Sequence, residues 1–159
     1  MSNTNSALPR WRFSSLEQSE IETLPGKIHH WLLKPGMVED TNLIFIRAHL
    51  LPGESHKFHC HPGMEEILYF LSGKAEQWVE REPHLVGPGD SLFIAPGVVH
   101  GTYNVGTETL DFLAVLSPAK YQGPMTVELS DQEPWRSLSP GISQRGEPQI
   151  RSHAGKSPG

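Results

Sequence analysis

Cysteine is almost absent from this chain. Cys60 is its one thiol, so no internal disulfide framework is available. A lone cysteine also fits a reducing compartment. No apolar run nears the roughly 20 residues that span a bilayer. The opening Met1-Ser2-Asn3-Thr4-Asn5-Ser6 is polar and has no apolar signal core. Basic residues are few and scattered, 13 Lys and Arg against 18 Asp and Glu, and the net charge is −5 with His neutral. No basic face emerges to meet a nucleic acid. From these absences we expect a cytoplasmic protein whose partners include neither membrane nor nucleic acid.

Glycine and proline, by contrast, are plentiful, at 15 and 14 residues of 159. They punctuate short β-rich runs, which is the pattern of an all-β chain with many turns. The length suits one domain with a real core. Residues 1–25 read as an N-terminal arm, in which Trp11 and Phe13 are candidates to pin the arm to the body. Lys27 to Leu33 reads as a strand. Leu43 to Leu51 alternates cleanly, with Ile44, Ile46, Ala48 and Leu50 on one face and Leu43, Phe45, Arg47 and His49 on the other. Further strands are expected at Glu66–Leu71, Lys74–Glu80, Asp90–Ile94, Val98–Tyr103 and Leu110–Leu116. Beyond Ser117-Pro118 the pattern weakens. The stretch to Gly159 is rich in Ser, Pro and Gly and reads as an irregular C-terminal extension, 118–159.

Histidine carries the chemistry. His59 and His61 are spaced i, i+2, which on a strand points both to one face. Glu66 follows, and His100 lies on a later strand. Three imidazoles and a carboxylate suit a divalent transition metal such as Mn, Fe, Ni or Zn. The segment from Gly53 runs G-x5-H-x-H-x4-E-x6-G and closes at Gly73. The segment from Gly89 runs G-x7-G-x2-H-x3-N and closes at Asn104.

Together these segments resemble the paired motifs of the cupin superfamily, in its small single-domain cupin 2 type. One departure is visible. Where the family usually places Pro in the second motif, this chain has Ala95, with Pro96 following. The resemblance implies a small antiparallel β-barrel or jelly roll over residues 26–117. It also implies metal ligation by His59, His61, Glu66 and His100. Glu65 competes with Glu66, which is preferred because it keeps the motif's gap to Gly73. Octahedral Fe, Mn or Ni would keep open positions beside four protein ligands, whereas four ligands fill a tetrahedral Zn. Fe, Mn or Ni is therefore favoured for catalysis, with Zn still admissible. The resemblance also implies a homodimer.

The remaining residues are read from strand phase. Leu68 and Phe70 share the phase of Glu66 and are candidates for an apolar pocket wall. If the Arg47 and His49 face is the cavity, Arg47 can hold an anionic substrate and His49 can move a proton. If it is the outer face, both are solvated. Tyr69 is expected between the sheets. One of Gln77 and Trp78 must face inward. Cys60 points away from its histidine neighbours. His29, His30, His56, His84 and His153 read as surface or loop residues, His56 because it is out of phase with His59. Asn104 is expected to fix the turn after the strand of His100. The function expected is a metal-dependent enzyme acting on a small organic molecule, with dioxygenation one candidate reaction. Isomerase or lyase chemistry is another. The alternative is a non-catalytic, metal-assisted binding module for a small molecule.

Overall fold

The computed structural model describes residues 7–140. Among them, eleven strands form two antiparallel sheets, and one short helix follows the last strand. The strands are β1 (Glu20–Leu24), β2 (Lys27–Leu33), β3 (Ile44–Leu50), β4 (Ser55–Cys60), β5 (Glu65–Ser72) and β6 (Ala75–Val79). They continue with β7 (Glu82–Val86), β8 (Ser91–Ile94), β9 (His100–Asn104), β10 (Leu110–Ser117) and β11 (Val127–Glu128), and the helix is α1 (Trp135–Leu138). The first sheet runs β1-β2-β3-β10-β5-β8 and the second β11-β4-β9-β6-β7. This is a jelly roll: two sheets face each other across a core, without closing into a strict barrel.

Alternation builds that core. Ile44, Ile46, Ala48 and Leu50 of β3 point inward and are buried. Leu110, Phe112, Ala114 and Leu116 of β10 lie beside them, as do Leu68 and Phe70 of β5. Each fully buried side chain of this kind contributes about 1.5–3 kcal/mol through loss of apolar surface to water. The outer face of the first sheet is different. Ile67, Tyr69 and Phe93 are 49%, 43% and 59% exposed there, so Tyr69 does not pack between the sheets.

The structure extends the fold beyond both expected boundaries. Glu20–Leu24 of the N-terminal arm pairs with β2 as an edge strand. The arm's aromatic residues do not pin it: Trp11 and Phe13 are 76% and 82% exposed. Its anchor is instead Ser14, whose hydroxyl donates to Leu32 O at 2.9 Å. After Ser117 the chain was expected to be irregular, yet β11 pairs with β4, and Leu129, Trp135 and Leu138 cover the outer side of Phe58. Trp78 also packs there, 5.6 Å from Phe58 between ring centres, while Gln77 takes the inward position. The part of the expected extension from 141 to 159, with His153, lies outside the described residues.

Two turns tie the sheets in register. Asn104 donates its amide to Leu50 O and Glu108 O, both at 2.9 Å, and accepts from Gly106 N. Gly73 ends β5 at φ +85°, and a Cβ there would lie 2.9 Å from Leu110 Cα. Alanine would meet both a disfavoured backbone conformation and a backbone clash. Gly73→Ala is expected to cost about 1–3 kcal/mol. Thermal unfolding against wild type checks this, and an unchanged midpoint would refute it.

Candidate metal centre

The β4–β9 ladder sets the geometry. His59 lies directly opposite His100 across it. His61 follows two residues later on the same side, and Glu66 reaches in from β5 of the facing sheet. All four are buried, between 1% and 8% exposed. The three histidines each offer a ring nitrogen within 4.8 Å of the others. Glu66 Oε2 lies 2.9 Å from His100 Nε2 and 3.5 Å from His61 Nε2. Glu65, the competing carboxylate, is on the exposed face of β5.

Each ring is oriented by a backbone carbonyl. His59 Nδ1 donates to Lys57 O at 2.6 Å, His61 Nδ1 to Met125 O at 2.6 Å, and His100 Nδ1 to Val98 O at 3.0 Å. A carbonyl only accepts, so all three Nδ1 atoms carry the proton. In neutral rings this leaves Nε2 bare. His61 Nε2, His100 Nε2 and Glu66 Oε2 have no hydrogen-bond partner although they are buried. Buried atoms with lone pairs thus converge without a protein partner. Such an arrangement is costly unless a cation sits at its centre. The donor set and its oriented outer shell fit a divalent transition metal.

Electrostatics holds the Glu66 carboxylate charged and His59 neutral. Burial pushes the Glu66 carboxyl up, but the His100 and His61 imidazoles outweigh it and hold the group ionised. For His61, burial opposes charging and the Glu66 carboxylate overcomes it, so its value rises. His59 is pushed down to about 3 by burial and by His100, which keeps it neutral at physiological pH. The cluster thus holds the Glu66 carboxylate together with one imidazole, His59, kept neutral by burial.

The two motifs meet at a hydrogen bond. Gly97, at φ +78° in the β8–β9 turn, donates its N–H to His61 O at 2.9 Å. That bond seats the loop before His100 against the loop after His59.

The other expected pocket residues divide. Leu68 and Phe70 do share the interior with Glu66, but as packed core, with Phe70 5.6 Å from Phe112 between ring centres. Arg47 and His49 are not brought to the cluster: of the two faces considered for them, they take the outer one. They alternate with the core-facing residues of β3 and so lie on the outer face of the first sheet. There Arg47 forks onto Asp111 at 3.0 and 2.5 Å, and His49 stacks edgewise on His30 at 5.1 Å. Burial lowers the His49 value on that face.

Three contributors escaped the sequence reading. One is the Met125 carbonyl, which has no side-chain signature at all. The others are His29 and His56. Between His56 and His59 the β4–β9 register slips, three residues of β4 spanning two of β9. This β-bulge turns His56 to the face of His59, against simple alternation. Its ring lies 6.4 Å from His59 and 5.6 Å from Phe112 between centres.

Comparison with known proteins gives the family. The cupin domain family matches residues 46–116, the stretch that holds all four cluster residues. An oxalate-binding protein from Thermotoga maritima is 32% identical over 110 residues, covering 66% of this chain and 90% of its own. This chain belongs to the cupin superfamily. A solved structure of a predicted oxalate decarboxylase from Thermotoga maritima is 26% identical with a TM-score of 0.61, covering 67% of this cupin and 99% of that chain. The polyketide cyclase RemF from Streptomyces resistomycificus superposes with a TM-score of 0.65 at 20% identity, covering 80% and 98% of the two chains, and shares the fold.

The outer-shell role of Met125 reverses what the sequence suggests for the extension. A chain ending at Tyr121 lacks the carbonyl that orients His61, and also loses the strand and helix that cover Phe58. Its metal affinity is expected to fall by about tenfold or more. Metal titration of the shortened and full chains checks this, and equal affinities would refute it.

Proposed function

We propose that this cupin is a metal-dependent enzyme acting on a small organic acid, with His59, His61, Glu66 and His100 as metal ligands. One observation carries the reading: three rings are each oriented at Nδ1 by a carbonyl, and two of them, His61 and His100, turn an unpartnered Nε2 toward the buried Glu66 carboxylate. Iron, manganese or nickel suits this donor set and would leave open coordination positions, with zinc less suited to turnover. A bound ion supplies a Lewis acid that polarises a substrate oxygen, and iron would also serve oxygen chemistry such as dioxygenation. The chain's own residues orient the ligands and bury them from solvent. Phe70, Leu68 and Phe112 make the surrounding wall apolar, which strengthens any charge interaction inside it. A carboxylate ligand is the complement to a cationic centre with so few other charges near it. The Thermotoga relative, named for binding oxalate, supports a small carboxylic acid as the ligand class.

The same relative favours the second reading, a metal-assisted binding module without turnover. The two differ in one observable: product formation by loaded protein under air.

For the assembly we propose a homodimer through the outer face of the first sheet, where Ile67, Tyr69 and Phe93 present exposed apolar surface. The variant Ile67→Lys with Tyr69→Lys is expected to elute as a monomer while wild type elutes as a dimer. Wild type that elutes as a monomer in light scattering would refute this.

The metal assignment has its own test. Protein purified without chelator is expected to carry near one Fe, Mn or Ni per chain by elemental mass spectrometry. His59→Ala with His61→Ala should lose it while remaining folded by circular dichroism. Undiminished metal in that variant would refute the site.

A further inference from the structure

The bulge in β4 places a fourth imidazole on the inner wall. His56 lies opposite Thr102 on β9, and Gln77 of β6 lies opposite Thr102 from the other side. These three form the ladder row next to the row of His59 and His100. Thr102 donates its hydroxyl to Gln77 Oε1 at 2.6 Å, and Gln77 donates its amide to Trp78 O, so those two groups are committed. His56 is committed only through one nitrogen.

That nitrogen begins a chain leading to the surface. His56 Nε2 lies 2.8 Å from His29 Nε2, and His29 Nδ1 lies 2.8 Å from Glu22 Oε2. His29 sits opposite Ala48 on the core-facing side of β2, and Glu22 sits opposite His29 on β1. The His29 side chain is 15% exposed and that of Glu22 47%. Three side chains thus run from solvent to the interior across the edge of both sheets.

The chain fixes a tautomer. An ionised carboxylate only accepts, so His29 Nδ1 donates to Glu22. In neutral His29 the other nitrogen is then bare and accepts. His56 Nε2 must carry the proton between them, leaving His56 Nδ1 bare. Burial first, and the neighbouring His29 second, keep His56 in its neutral form. The wall beside His59 therefore carries a fixed acceptor, not a donor.

We propose that His56 is a ligand-contacting residue whose Nδ1 accepts a hydrogen bond from a ligand hydroxyl, so that this site favours small hydroxy acids over dicarboxylates. The proposal rests on the metal-site reading above. Two carboxylates would present only lone pairs to a bare nitrogen. A hydroxy acid places its carboxylate near the metal and offers its O–H to His56. His29 and Glu22 are positioning residues, since they act on the ligand only through the His56 tautomer.

The test uses full-length, metal-loaded protein and two matched probe pairs, glycolate with oxalate and 3-hydroxypropanoate with malonate, followed by calorimetry. Wild type is expected to bind at least one hydroxy acid more tightly than its dicarboxylate partner. His56→Phe should weaken that hydroxy acid about tenfold, the loss of one hydrogen bond with its partner left unpaired, and leave the dicarboxylate unchanged or improved. His56→Gln, whose Oε1 accepts, should recover part of the loss. Glu22→Gln, at a half-exposed surface position, frees the tautomer and should narrow the hydroxy-acid preference several-fold. Nitrogen-15 NMR of wild type should show His56 protonated at Nε2. Metal content should stay at the wild-type level in every variant. Equal losses for both members of a pair, no loss in His56→Phe, protonation at Nδ1, or loss of metal would overturn the proposal alone. Loaded wild type that binds none of the four probes would overturn the small-acid reading, and this proposal with it.

Discussion

The pairing of β4 with β9 is the constraint on which the site depends. It places His59 against His100, sets the loop that presents His61, and leaves room for Glu66 to reach in from the opposite sheet. Hydrogen bonds between main-chain groups do this work, and the side chains inherit their positions. A ladder of that kind is stiff, so the nitrogens cannot relax away from one another as they would on a loop. The same stiffness makes their mutual exposure of lone pairs a standing cost, which a bound cation would remove. A cation bound there would therefore link stability to metal affinity: what the sheets lose in holding the donors apart from water would be regained on binding.

The surrounding packing has a corresponding logic. The first sheet supplies apolar side chains from β3, β5 and β10, and the second supplies most of the polar ones from β4, β6 and β9. Glu66 is the one carboxylate that the apolar sheet sends across. The interior is thus asymmetric, with a greasy wall facing a hydrogen-bonding wall. A ligand held between them would be gripped through its polar edge by one sheet and through its body by the other.

Much of this was legible in the sequence, for definite reasons. Alternation along β3 and β5 is uninterrupted, so the inward faces of Ile44–Leu50 and Glu66–Phe70 could be read directly. The histidine spacing brought His59 and His61 to one side because a strand makes i, i+2 neighbours equivalent. The rest was not legible for physical reasons, the first being that phase is local while facing is not. Arg47 and His49 have the right period, but only the partner sheet decides which face is inside. His56 was misread because a bulge adds a residue without any local mark in composition. Tyr69, out of phase with Glu66, was expected between the sheets, but that face of β5 is the outer one. Beyond Ser117 the chain lacks periodicity because β11 is two residues long and α1 four, too short to leave a pattern. The orienting carbonyl of Met125 is main chain, and no side chain announces it.

The strand order carries a consequence for how the protein is made. β10 occupies the middle of the first sheet, between β3 and β5, and β9 occupies the middle of the second, between β4 and β6. Both are synthesised after the strands they join. A ribosome that has released only the first ninety residues has made β3, β4, β5 and β6 with their inner neighbours still missing. Their unpaired edges and apolar faces must wait until Ser117 emerges. Pairing between such distant segments slows folding and leaves sticky intermediates. The nascent chain, not the finished domain, is then the species with the greatest need of a chaperone.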